Sequence, residues 1–65
     1  MSKKNIALAH MVCNGKDHGG FMTSLADAYL HADTDNQAIL DPAMDLLDQK
    51  YALCEEHIKR YGRMP

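Results

Sequence analysis

The chain has 65 residues, a formal net charge of −2 and two cysteines. A domain this short buries only about 60% of the surface its unfolded chain exposes, so it lies near the stability limit unless something staples or doubles it. Two cysteines are too few for a disulfide scaffold, which favours a reducing compartment, and no stretch approaches the roughly 20 apolar residues of a membrane span.

Charge is unevenly spread. Between Lys16 and Lys50 lie Asp17, Asp27, Asp33, Asp35, Asp41, Asp45 and Asp48 without one Lys or Arg. The bases sit at the two ends, with Lys59, Arg60 and Arg63 as the densest group. Direct nucleic-acid binding needs a larger basic face than that. The acidic middle reads as solvated helix faces and caps, or as a contact for a basic partner.

In chain order, Lys3 and Lys4 precede an apolar run from Ile6 to Cys13. His10 interrupts the run and no small-residue cleavage position follows, so it is not expected to be a signal segment, and a cytoplasmic location is expected. Ser2 can cap a first helix to about Val12, with Ile6, Ala9 and Cys13 on one face and Asn14-Gly15 as its stop. Ile6, Leu8, His10 and Val12 also alternate as a strand would, and such a strand would have to pair across a dimer.

After Gly19-Gly20 the pattern predicts a second helix from Phe21 to Ala32, with Phe21, Leu25, Ala28, Tyr29 and Ala32 inward. Thr34 with Gln37 three residues later reads as a capping box opening a short third helix. Asp41-Pro42 then restarts the chain, because proline disfavours helix at the preceding residue and suits a first helical position.

The fourth helix is expected from Pro42 to Tyr61, about 30 Å long. That would span a molecule whose radius of gyration should be about 11 Å. Along it Met44, Leu47, Tyr51, Cys54, Ile58 and Tyr61 recur at steps of three and four, the spacing of a heptad seam, and Leu46 and Leu53 widen the stripe. The expected fold is therefore all-α. It is a single domain of three to four helices with a long C-terminal helix, completed by homo-oligomerisation through that seam.

Chemistry-bearing residues are sparse. Cys13, His18, Cys54 and His57 form a Cys2His2 set that could hold zinc as a structural module, with Cys54 and His57 on adjacent turns. The spacing matches no standard zinc motif, and Cys54 lies on the apolar seam, where cysteine acts as a small hydrophobe. Asp27 and His31 could orient one another at i, i+4, but nucleophile, base and oxyanion donors are not assembled, so no enzyme is expected. Asp33-x-Asp35 begins like a calcium loop. Ala38 stands where that loop needs glycine and Met44 where it needs glutamate. The glycines at 15, 19 and 20 lack the Lys and Ser/Thr of a phosphate loop.

One stretch, Gly20-Phe21, Leu25-Ala26-x-Ala28-Tyr29 and Ala32-Asp33-x-x-Asn36, resembles a short pattern in small helical proteins of phages and prophages, over about residues 19 to 40. The resemblance implies an accessory protein that binds stoichiometrically to a host defence or regulatory protein. It could alternatively trap a small ligand as an oligomer, for which Tyr29, His31 and Lys50, with Tyr51 and Tyr61, supply the stacking and charged groups.

Overall fold

A computed structural model describes residues 2–15 and 17–65, leaving Met1 and Lys16 outside the described residues. They form four helices: α1 Lys3–Gly15, α2 Gly19–His31, α3 Thr34–Tyr51 and α4 Leu53–Tyr61, with no strand among the described residues. The stretch that alternates like a strand is thus helical. Its start is capped as expected, the Asn5 N–H donating to Ser2 Oγ at 3.1 Å, which satisfies one of the donors that a helix N-terminus leaves free.

Helix α1 carries the largest share of the core. Leu8, Ala9, Met11 and Val12 are buried on it, Met22, Ala26 and Tyr29 on α2, Met44 on α3 and Leu53 on α4. Ile6, Cys13, Leu25, Leu30, Leu40, Leu47 and Cys54 pack around this group. The radius of gyration is 10.7 Å and the extents are 30 × 23 × 19 Å, the compactness of a domain that closes on itself.

On α2 the inward face differs from the expected one. Met22, Ala26 and Tyr29 are buried, whereas Phe21 is 68% exposed and Ala28 lies on the outside. Because α2 already begins at Gly19, Phe21 sits in its open first turn, and Met22 takes the core position. The next cap also shifts by one residue. Asp33, in extended geometry, accepts the Asn36 N–H at 2.9 Å. Gln37 does not reach back to close a capping box; it turns inward and donates to the Tyr29 carbonyl at 2.9 Å.

The largest departure concerns the second half. Asp41-Pro42 does not divide two helices, since α3 runs through Pro42 to Tyr51. An interior proline removes one helical hydrogen bond and crowds the carbonyl four residues earlier, at a cost of about 3 kcal/mol. Here Asp41 and Asp45, on either side of it, are bonded to α1 and α2. Those ties hold the helix across the proline.

The break falls at Ala52 instead, in the left-handed region at φ 53°, ψ 49°. Its N–H returns to the Asp48 carbonyl and closes α3. The long C-terminal helix is thus two helices, and the expected seam is cut between Tyr51 and Cys54. Past the break the inward residues of α4 are Leu53 and His57, and Ile58 and Tyr61 are turned to its flank, 41% and 46% exposed. Asp48 also caps α4, because its Oδ1 accepts the Cys54 N–H at 2.9 Å, a role the Ala52 methyl cannot fill. α4 ends at Gly62, whose φ of 71° suits glycine.

A left-handed alanine costs roughly 1–2 kcal/mol that glycine avoids. Ala52→Gly is therefore expected to raise the unfolding free energy by about 0.5–1 kcal/mol after the added unfolded-state entropy is counted. Ala52→Val should lower it. Urea denaturation of the two variants checks both signs.

Candidate functional site

Two polar constellations link the helices. The first runs through the acidic middle. Asn5 on α1 is fully buried, and its amide donates to Asp41 Oδ1 at 3.0 Å and Asp45 Oδ1 at 3.1 Å, one helical turn apart on α3. Tyr29, fully buried on α2, donates its hydroxyl to the same Asp41 oxygen at 2.6 Å. Lys4 reaches Asp45 at 3.0 Å and Asp48 at 3.4 Å. Asp48 passes the chain on to α4 through the Cys54 N–H and its thiol, the latter at 3.2 Å. All four helices therefore share one hydrogen-bonded network.

Electrostatics follow from these bonds. The Tyr29 hydroxyl, then the Asn5 amide, hold the Asp41 carboxyl below its usual range, and Lys4 followed by Asn5 does the same for Asp45. Burial opposes ionisation of Asp48, but the Cys54 N–H and thiol and Lys4 outweigh it and keep that carboxyl low. Lys4 is raised, chiefly by Asp45. Burial, reinforced by Asp41, pushes Tyr29 up to about 12.

The second constellation joins the turn between α1 and α2 to α4. His18 Nε2 lies 2.8 Å from Glu56 Oε1, and its Nδ1 lies 3.0 Å from Asp17 Oδ1. Arg60 closes the circle, bonded through Nη2 to Asp17 Oδ2 and ion-paired through Nε, at 3.0 Å, with Glu56 Oε2. The His18–Glu56 and Arg60–Asp17 contacts are aligned hydrogen bonds. The other two are close approaches without that alignment. Gly15 makes room for the arrangement, since a Cβ there would stand 2.5 Å from Arg60 Nη1.

Among the described residues, Asp17, His18 and Glu56 are the group whose potential metal-ligand atoms all come within 4.8 Å of one another. Arg60 already supplies a cation to both carboxylates. As it stands the cluster is a ring of polar contacts, with Arg60 ion-paired to both carboxylates, that fastens α4 to the opposite turn.

Of the expected zinc set, only His18 belongs to this group. Cys13 Sγ is 4.0 Å from the Thr23 carbonyl, Cys54 is bonded to Asp48, and His57 Nδ1 lies 2.8 Å from the Arg63 carbonyl with its ring tilted against Tyr61. The four side chains are not brought together. Burial, then Asp27 for Cys13 and Asp48 for Cys54, raises both thiols above their ordinary value. Both are therefore protonated at neutral pH, which disfavours thiolate chemistry.

The residues expected to meet a ligand are also dispersed. Tyr29 is inaccessible. His31 is exposed and pairs with Asp27, its Nδ1 2.9 Å from the Asp27 carbonyl. Lys50 lies over the Tyr51 ring at 5.2 Å, about 24 Å along α3 from the end next to His31. No cleft opens among the described residues. Of the expected interface, Met44 is buried, Leu47 and Cys54 pack at the edge of the core, and Tyr51, Ile58 and Tyr61 remain 41–46% exposed. Phe21, Ile39, Leu46 and Met64 are exposed as well, at 66–72%. Ile39 and Leu46 carry a sequence signal, a spacing of seven, that the competing seam conceals.

The network gives stability a defined pH window. Carboxyls held below 3.8 contribute stability that is present above that pH and lost as pH falls through their lowered values. Thiols raised above 9.0 and a phenol raised from 10.0 to about 12 contribute stability that is present below their unfolded values and lost as pH rises toward the folded ones. Thermal melts should therefore plateau between about pH 4 and pH 9 and decline on both sides. Tyr29→Phe should remove the part of the alkaline decline that begins near 10.0. No protein-family model, curated protein or solved structure matches this chain.

Proposed function

We propose that this is a small, non-enzymatic helical binding protein of the cytoplasm. In this reading it is an accessory protein of the phage type that acts stoichiometrically on a host defence or regulatory protein. The observation that carries the reading is the division of labour between its side chains. The chain closes a core of its own, yet among the described residues seven large apolar side chains stay exposed, Ile58 and Tyr61 one helical turn apart on α4, and adjoining exposed apolar groups are what an interaction surface needs. Its polar groups, by contrast, are largely taken up in fastening the helices: two histidines, both thiols and most of the central aspartates have internal partners.

The flank of α4 formed by Ile58 and Tyr61 is the contact surface this reading uses. It is the exposed remnant of the apolar stripe, and Tyr61 is braced by the His57 ring at 4.6 Å, so a partner would meet a pre-ordered aromatic group. A partner protein fits this convex surface better than a small ligand, because the buried Tyr29 cannot line a ligand site. Arg60 is committed to Asp17 and Glu56, which leaves the C-terminal bases a poor phosphate-binding face. No helix among the described residues is long and apolar enough to cross a membrane.

The test is affinity capture from a bacterial host, followed by native mass spectrometry and titration with the purified partner. A partner bound at fixed stoichiometry, and about tenfold or more weaker to Ile58→Glu with the circular dichroism unchanged, supports the reading. Equal binding by Ile58→Glu and Tyr61→Glu, or catalytic turnover of the partner, overturns it.

A further inference from the structure

The outer face of α3 has a property that the host-partner reading does not use. Gln37 and Met44, seven residues apart, point into the core. Ile39 and Leu46, also seven apart and two positions further on, therefore lie about 200° round the helix from them, and they are 72% and 66% exposed. Asp35, Pro42, Gln49 and Lys50 share that outward side and are exposed, with Ala43 half-buried beside them. The result is an apolar patch centred on two small residues, with an acid at one end and a base at the other.

The pattern is symmetric about the point between Pro42 and Ala43. Turned end over end, α3 sets Ile39 against Leu46 and Asp35 near Lys50. We propose that this face binds a second copy of the chain, α3 against α3 in antiparallel orientation, about a twofold axis passing between Pro42 and Ala43. A twofold interface must be complementary to itself, and this face meets that condition both in its apolar pairs and in its charges. Parallel packing would place Asp35 beside Asp35 and Lys50 beside Lys50, which disfavours it.

Among the described residues neither charge has an ion pair, and the Lys50 ammonium lies over the Tyr51 ring. The pyrrolidine of Pro42 and the methyl of Ala43 at the axis let the two helices approach to about 8 Å, the close end of helix packing. A standard interface takes about 800 Å² from each partner, about a fifth of this chain's 4149 Å² surface. One helix face supplies less than that. A reversible dimer is therefore expected, populated at high concentration.

Sedimentation equilibrium of the intact protein, from about 10 µM to about 1 mM at low salt, tests this. The weight-average mass should rise from 7.3 kDa toward twice that value. Leu46→Glu should remain monomeric throughout. Asp35→Lys and Lys50→Glu should each weaken association about tenfold, and the double variant Asp35→Lys/Lys50→Glu should restore it. All of these positions face outward, so helicity should not change. A wild-type chain monomeric over the whole range, a dimer indifferent to Leu46→Glu, or one abolished by Ile58→Glu instead would each refute the proposal. Failure here leaves capture of a host partner through Ile58 intact, so the two readings fail separately.

Discussion

The carboxamide of Asn5 is the contact on which the rest of the fold depends. Its two N–H groups bridge Asp41 and Asp45 on successive turns of α3, and Tyr29 adds a third helix to the same junction. Bonding both N–H groups offsets the cost of burying them, so the junction fixes where α3 lies against α1 and α2, although the Asn5 Oδ1 is buried with no partner among the described residues. It does so at the segment containing Pro42, where the local rules favour a break. Removing the amide would leave the half-buried Asp41 and the exposed Asp45 without that donor and would release the constraint that keeps α3 continuous.

This explains which parts of the fold were legible in the sequence. Ser2 acts on an N–H three residues away, and that purely local cap was readable, as were the helical character of the chain and its turn near Gly19. Pro42 reads as a break because the bonds that overrule it come from residues 5 and 29, distant in sequence. Asp41, Asp45 and Asp48 read as solvent-facing charges. The spacing of Asp41 and Asp48 places them beside Met44 on α3, which is the sign that these two are half-buried, whereas Asp45 is exposed and still bonded to Lys4 and Asn5.

The heptad stripe misled for a different reason. Periodicity is meaningful only along an unbroken helix, and Ala52, a good helix former, gives no warning that it adopts a left-handed conformation. Past it the helical phase is reset, so His57 rather than Ile58 faces inward. The ring of Asp17, His18, Glu56 and Arg60 was equally hidden. His18 stood out by residue type, but its companions are common surface residues brought together only when α4 folds back over the first turn.

Gly15 takes on a second meaning in that setting. As a helix stop it would be exchangeable for any residue that ends a helix. Standing beneath the Arg60 guanidinium, it acts as a spacer whose required size is set by a residue near the other end of the chain. A Cβ at position 15 would also meet Asp17 Oδ1 at 2.8 Å, so a larger side chain there displaces the ends of both Arg60 and Asp17 and loosens the pair they form. Substitution at position 15 is thus coupled to positions 17 and 60 together.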